Sequence, residues 1–306
     1  MQLQKLEIKE LGESPLTRFL HLSSVAVIMV GPLSCVCFAN ASVREKELKR
    51  RLFVCEMACT DYMTGLGLDR VLEKAREAAK LPDVKQVVLY QCCTDFLTHL
   101  DYESYLRKHI NRKDIRFYTY QRGSASLNYT EKKSVTERMQ EDARKDGFEL
   151  LPVEKSSEKI EAPEEIRIPD FVKVCGVLKN YPVLTCLFSP GSCTGAFSAA
   201  GEEESPWLYI SRLEDTELIT GCSRQFAAEA AKRADLLGTN KICLVGTPVT
   251  KILYMEFRQV GELLEKTGYR VLVFETDGYG SGRDAANTAK QRIETLLKEK
   301  QSKERG

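Results

Sequence analysis

No apolar stretch in this chain of 306 residues approaches the roughly 20 residues that a membrane-spanning helix needs; the longest covers Ser23–Pro32. The N-terminus, Met1-Gln2-Leu3-Gln4-Lys5, lacks the apolar region of a secretory signal, so the expected location is the cytoplasm. Neither sign of charge dominates: 45 Lys and Arg against 44 Asp and Glu leave a net charge of +1. That balance removes the bulk electrostatic case for nucleic acid or an anionic membrane as partner. Histidine is scarce, with only His21, His99 and His109, and neither H-E-x-x-H nor C-x-x-C occurs. A tetrahedral zinc knuckle is therefore poorly supported. The absence of G-x-S-x-G removes the nucleophile elbow of a serine hydrolase, and the absence of G-x-x-x-x-G-K-[ST] removes hydrolysis of nucleotide by a P-loop.

Cysteine, by contrast, is plentiful, at eleven residues. In a reducing compartment these are thiols rather than a disulfide framework, which points to metal or redox work or to plain packing. Cys186 and Cys243 lie inside apolar runs and Cys175 lies on a helical segment, so all three read as small core residues. Three others follow apolar runs directly: Cys35, Cys93 and Cys193. Thiolates are the preferred ligands of iron–sulfur clusters, which take three or four of them. Half-buried reduced thiols are the alternative that spacing alone leaves open.

The chain repeats itself. Gly31-Pro32-Leu33-Ser34-Cys35 is answered by Ser189-Pro190-Gly191-Ser192-Cys193, and Cys193 minus Cys35 gives 158. Asp61–Gly65 is answered by Glu217–Gly221 at 156, Cys93-Thr94 by Thr247-Pro248 at 154, and Gly123-Ser124 by Gly280-Ser281 at 157. Four landmarks in one order at nearly one spacing indicate two copies of a domain, and the length predicts about two domains. The expected boundaries are 1–150 for the first copy, 151–169 for a charged linker and 170–306 for the second.

Within the first copy the pattern predicts strand Val25–Val30, a charged helix around Val43–Arg51, helix Leu68–Ala79 and strand Gln86–Tyr90. Helix Phe96–His109, strand Ile115–Tyr120 and helix Lys132–Lys145 follow. The second copy predicts strands Val183–Phe188 and Leu208–Ser211, helix Arg224–Leu236 and strand Lys241–Gly246. Helix Leu253–Lys266, strand Arg270–Thr276 and helix Arg283–Lys298 complete it. Apolar, β-branched runs alternating with helical periodicity predict an α/β fold of two tandem Rossmann-like domains, each a parallel sheet flanked by helices. Ligands of such sheets bind beyond the carboxyl ends of the strands, where all the repeated landmarks fall. Pro152–Pro169 reads as an exposed linker and Lys298–Gly306 as a fraying charged tail. Gly278-Tyr279-Gly280-Ser281-Gly282-Arg283 sits where a phosphate cradle would, yet lacks the G-x-G-x-x-G spacing; a tight turn is its plainer reading.

These landmarks, in this order, resemble the component 1 family of nitrogenase and the dark-operative protochlorophyllide reductases. The resemblance rests on Gly31-Pro32-Leu33-Ser34-Cys35, Asp61–Gly65, Cys93 with Asp101 eight residues on, and Arg122-Gly123-Ser124. In the second copy it rests on Ser189–Cys193, Glu214–Gly221, Thr247-Pro248 and Gly278–Ser281. It covers both repeats. Carried over position by position, it implies that Cys35, Cys93 and Cys193 are metal ligands of an iron–sulfur cluster, [4Fe–4S] in size, held by both halves. The fourth ligand falls to Cys92, Cys37, Cys222 or Asp61. The family's earliest ligand cysteine has no counterpart before Cys35, and Thr247 stands where the second copy's own third ligand is expected.

Family subunits are longer and carry further Cys and His ligands for a catalytic metal centre; none is matched here, so no molybdenum cofactor is expected. The resemblance thus implies a nitrogenase-like oxidoreductase component, a homo- or hetero-oligomer, that takes electrons from a partner resembling the family's ATP-dependent iron protein. The alternative is a cluster-free scaffold or interaction protein, in cofactor assembly or an accessory role, that kept the fold.

Overall fold

The structure is a computed structural model and describes residues 14–37, 39–122, 134–153, 158–160, 166–189, 205–211, 221–254 and 257–303. It divides into two compact units. The first comprises the described residues up to Gly31, Val36–Arg122 and the described residues up to Ile166; the second comprises Pro32–Cys35 and the described residues from Arg167 on.

The chain enters on α1 (Pro15–Leu20), started by Pro15 at its first position and by Ser14, whose Oγ accepts the Thr17 N–H at 3.2 Å. Strand β1 (Val25–Gly31) is buried at all seven positions, as an inner strand covered on both faces must be. Three short helices follow, α2 (Leu33–Val36), whose residues Leu33–Cys35 count with the second unit, α3 (Ala39–Ser42) and α4 (Lys46–Lys49), then strand β2 (Leu52–Glu56). Next come α5 (Cys59–Thr64), α6 (Gly67–Ala79) and the fully buried strand β3 (Gln86–Gln91). Helices α7 (Cys93–Leu97) and α8 (Tyr102–His109), strand β4 (Arg116–Gln121) and α9 (Val135–Lys145) complete the unit. Ser134 and Glu137 begin α9 as a reciprocal box: the Glu137 carboxylate accepts the Ser134 N–H at 2.8 Å and Ser134 Oγ accepts the Glu137 N–H at 3.2 Å.

The second unit repeats this order. Helix α10 (Asp170–Leu178) leads into β5 (Leu184–Leu187), followed by β6 (Leu208–Ile210), α11 (Ser223–Leu236) and β7 (Lys241–Val245). Helices α12 (Pro248–Ile252) and α13 (Phe257–Lys266), strand β8 (Arg270–Phe274) and α14 (Ala285–Lys303) follow. Each unit holds one four-stranded, all-parallel sheet, in the orders β2-β1-β3-β4 and β6-β5-β7-β8. The fold is two tandem Rossmann-like α/β units.

Strand register makes the duplication concrete. Met29 pairs with Tyr90 and Tyr90 with Tyr120, while Leu187 pairs with Val245 and Val245 with Phe274. Leu187 minus Met29 is 158, Val245 minus Tyr90 is 155, and Phe274 minus Tyr120 is 154. The sulfur-bearing Cys193, the glycine landmark Gly123-Ser124 and residues Glu217–Thr220 lie outside the described residues.

Four expectations change. The first copy contains the strand β2, hidden in the sequence because Leu52-Phe53-Val54-Cys55-Glu56 is short, half-buried and joined directly to a charged helix. The helix expected over Phe96–His109 is broken in two at His99 (φ 53°), and the one expected over Leu253–Lys266 starts only at Phe257, behind a separate short helix that ends at Ile252 and is followed by Tyr254 (φ 50°). His99 and Tyr254 are left-handed residues that lack glycine's usual signature. Helix α14 runs on to Lys303 rather than fraying from Lys298. The segment read as a linker is tied down at two points of its described residues, where Pro152 bridges Leu22 and Lys159 bridges Glu45.

Close packing at the carboxyl end of β7 sets a steric limit. A Cβ on Gly246 would come within 2.3 Å of the Thr276 carbonyl oxygen, and the Thr276 hydroxyl donates to the Gly246 carbonyl at 2.9 Å. Backbone, not a movable side-chain tip, bars the way. Gly246→Ala is therefore expected to cost the second unit about 2 kcal/mol, measured by urea unfolding; an unchanged midpoint would contradict this packing.

Candidate functional site

In both units the chain leaves the central strands through short helices, and the capping of those helices decides where the cysteines stand. After β3, Cys92 caps α7 and Asp95 at the third helical position accepts the Cys92 N–H through Oδ2 at 2.8 Å. After β7, Thr247 caps α12 and Thr250 Oγ1 accepts the Thr247 N–H at 2.9 Å. The two caps correspond, and Thr247 minus Cys92 is 155. Cys92, not Cys93, is thus the counterpart of Thr247, and Cys93 answers Pro248; the pairing expected from sequence is off by one residue. Thr247 is wholly buried and donates its hydroxyl to the Phe188 carbonyl at 2.8 Å.

Each candidate ligand can now be placed. Cys35 lies in α2, just past the carboxyl end of β1; its N–H donates to the Pro32 carbonyl at 2.8 Å and its side chain is half-buried. Cys37 follows it, also half-buried. Cys93 opens α7 just past β3, buried, with Sγ 4.0 Å from the Arg122 carbonyl oxygen. Cys222 is buried immediately before α11. Asp61 is buried and structurally engaged: Oδ2 accepts the Ala58 N–H at 2.7 Å and Oδ1 pairs with Arg70 Nε at 2.8 Å. Cys193 lies outside the described residues. Among the described residues no three His, Cys, Asp or Glu side chains are grouped so as to hold a metal ion. Cys175, Cys186 and Cys243 are buried as expected, and burial pushes the Cys243 thiol up to about 12 and the Cys186 thiol well above its ordinary value.

Nothing in the residue pattern announces the polar cluster beneath Cys92. Asp95 is 1% exposed, and its Oδ1 accepts the Tyr102 hydroxyl at 2.9 Å and the Tyr62 hydroxyl at 3.1 Å while Oδ2 holds the Cys92 N–H. Burial raises the Asp95 carboxyl above its ordinary range, more than these donors lower it. The neighbouring Cys55 thiol is pushed up to about 12, first by burial and then by the Asp95 charge. The only sequence signal was an acid three residues after a cap, a pattern that any helix start shares.

The glycine-rich turn after β8 has its own anion already. Asp170 accepts the Gly278 N–H through Oδ1 at 2.9 Å and the Asp277 N–H through Oδ2 at 3.2 Å. These are the backbone groups a phosphate would need. Gly278 has φ 69°, and a Cβ there would meet Pro248 and Phe171 within 3 Å, so glycine serves packing and turn geometry.

No protein-family model matches the chain, and no curated protein matches it. No helix among the described residues is long and apolar enough to cross a membrane.

Proposed function

We propose that the chain is a nitrogenase component 1-like oxidoreductase component whose strand-end thiols hold an iron–sulfur cluster. The observation that carries this reading is positional. In a four-stranded parallel sheet of order β2-β1-β3-β4, the chain leaves β1 toward one edge and β3 toward the other, and ligands bind past the carboxyl ends of those two central strands. Cys35 follows β1 there, and Cys92 and Cys93 follow β3. Thiolate sulfur is the donor that iron–sulfur clusters take.

The described donors do not complete such a site: no three of them are grouped, and a cluster needs at least that many. Cys193 is the third thiolate of the reading and lies outside the described residues. No step of electron transfer therefore follows from the atoms placed here. The partner under this reading is an ATP-dependent reductase resembling the family's iron protein.

A second reading, a cluster-free scaffold that kept the fold, is favoured by two groups already committed elsewhere. Thr247 spends its hydroxyl on Phe188, and Asp61 spends its carboxylate on Ala58 and Arg70.

Anaerobic reconstitution with iron and sulfide separates the two. The oxidoreductase reading expects a coloured protein with about four irons per site. Cys35→Ser, Cys193→Ser and either Cys92→Ser or Cys93→Ser should each lose them, whereas Cys186→Ala in the core should not. Colourless wild-type protein after reconstitution would sink the cluster and leave the scaffold.

A further inference from the structure

We infer that Arg18, Arg122 and the hydroxyls of Tyr90 and Tyr120 form a binding site for a phosphoryl group, independent of any cluster on the strand-end thiols. Tyr90 and Tyr120 are register partners on β3 and β4, each one residue short of its strand's carboxyl end, the end at which parallel sheets bind ligands. Their rings stack with centroids 5.1 Å apart and planes 18° from parallel, so the two side chains run together from one face of the sheet. The Arg122 guanidinium lies over the Tyr90 ring, 5.4 Å from its centre. From α1, Phe19 packs edge-on against Tyr120 at 5.1 Å. Its neighbour Arg18 thereby brings a second positive charge, after that of Arg122, to bear on the Tyr90 hydroxyl. Among the described residues no carboxylate acts on that hydroxyl.

The donors of this cluster are unspent. Arg18 is half-buried and its Nε wholly so, yet among the described residues its side chain makes neither a hydrogen bond nor an ion pair. The Tyr90 and Tyr120 hydroxyls likewise meet no acceptor among the described residues. Elsewhere in the same unit such groups are paired. Arg50, Arg107 and Arg116 each hold a carboxylate, and the hydroxyls of Tyr102 and Tyr118 donate to Asp95 and Asp142. A half-buried guanidinium without a counter-ion carries a desolvation cost that a bound anion offsets. Tyr120 and Arg122 are only half-buried, so the cluster opens to solvent at the end of β4. All four groups can donate and none carries negative charge. Two fixed positive charges suit a dianion, and planar guanidinium forks beside two phenols suit the several oxygens of a phosphoryl group better than the two of a carboxylate.

Calorimetric titration of the full chain with inorganic phosphate, at constant ionic strength, is expected to show saturable binding at one site. Bound phosphate should also raise the urea midpoint. Acetate under the same conditions should not bind. Arg18→Gln should weaken phosphate about ten-fold or more. Its urea midpoint without phosphate should match wild type, because the side chain it replaces bonds nothing in the fold. Arg18→Lys keeps the charge, gives up the fork and should fall between the two. Tyr120→Phe should weaken phosphate by a smaller factor, a second variant that leaves Arg18 in place. Arg107→Gln, which removes an exposed cation paired with Glu103, should bind as wild type does. Cys35→Ser should bind phosphate unchanged, so loss of the iron–sulfur reading and loss of this site are separate results. Glycerol phosphate is titrated alongside: tighter binding than the free ion supports the site with a phosphorylated compound as its ligand, and weaker binding supports it with free phosphate. No saturable binding at millimolar phosphate, binding that survives Arg18→Gln, or acetate as effective as phosphate would each overturn the site.

Discussion

Asp95→Ala is expected to lower the stability of the first unit by about 4 kcal/mol. The carboxylate is the common acceptor of three donors, the Cys92 N–H and the hydroxyls of Tyr62 and Tyr102, and all three residues are buried. Alanine leaves each without a partner where water cannot substitute, at about 1–3 kcal/mol apiece. One effect works the other way. Burial disfavours the Asp95 charge and raises its carboxyl above the ordinary range, so deleting it also removes a desolvation cost. That offset is why the expected loss stays below a simple tally of three orphaned donors. Asp95→Asn keeps an acceptor for the Cys92 N–H and should cost only about half as much, while Tyr102→Phe removes one donor and should cost about 1 kcal/mol. Two units can unfold in separate transitions, so urea unfolding is paired with amide exchange on β1 and β3. A loss under about 1 kcal/mol for Asp95→Ala would mean that the hydroxyls find other acceptors.

The central strands were legible from sequence because of where they lie. β1 and β3 are buried at every position, and a strand covered on both faces reads as a near-continuous apolar run, here Val25–Val30 and, between Gln86 and Gln91, Val87–Tyr90. β2 is covered less completely, its run shares residues with a charged neighbourhood, and so it was missed. The two misplaced helix boundaries have a different cause. His99 and Tyr254 each take the left-handed conformation seven residues past their caps, Cys92 and Thr247, without the glycine that would announce it.

At the site, the apolar runs told which cysteines follow strands, since chain order alone fixes that. They did not tell which of two adjacent cysteines takes the cap. That choice belongs to Asp95, whose carboxylate reaches the N–H of Cys92 and not of Cys93. Nor did sequence tell that Asp61, Thr247 and the turn after β8 already had partners within the chain, because each partner lies at a distance fixed only by the fold or by a local cap.

Arg51→Ala should destabilise the same unit by a similar amount, about 4 kcal/mol, by a different route. Arg51 is 1% exposed and is the largest side chain so deeply buried among the described residues. It stands directly before β2, and its Nη1 donates to the Leu22 carbonyl at 2.8 Å and the Val25 carbonyl at 3.4 Å. Its own carbonyl accepts the Val27 N–H at 2.9 Å. The side chain thereby fastens the turn that enters β1 to the start of β2. Alanine would leave a cavity and take away the donor that those two carbonyls share. The charge itself is not what stabilises. Desolvation lowers the Arg51 pKa; among the described residues Glu47 is its only close counter-ion, at 3.9 Å, and Nε and Nη2 are buried with no hydrogen-bond partner. Arg51→Met fills most of the volume without a charge to desolvate, so it should recover more than half of the loss seen with alanine. Arg51→Lys keeps the charge, gives up the planar fork and should fall between the two. Urea midpoints of the three variants order the contributions directly. If methionine proves as damaging as alanine, the carbonyl donors outweigh the packing; if lysine matches wild type, the charge matters after all.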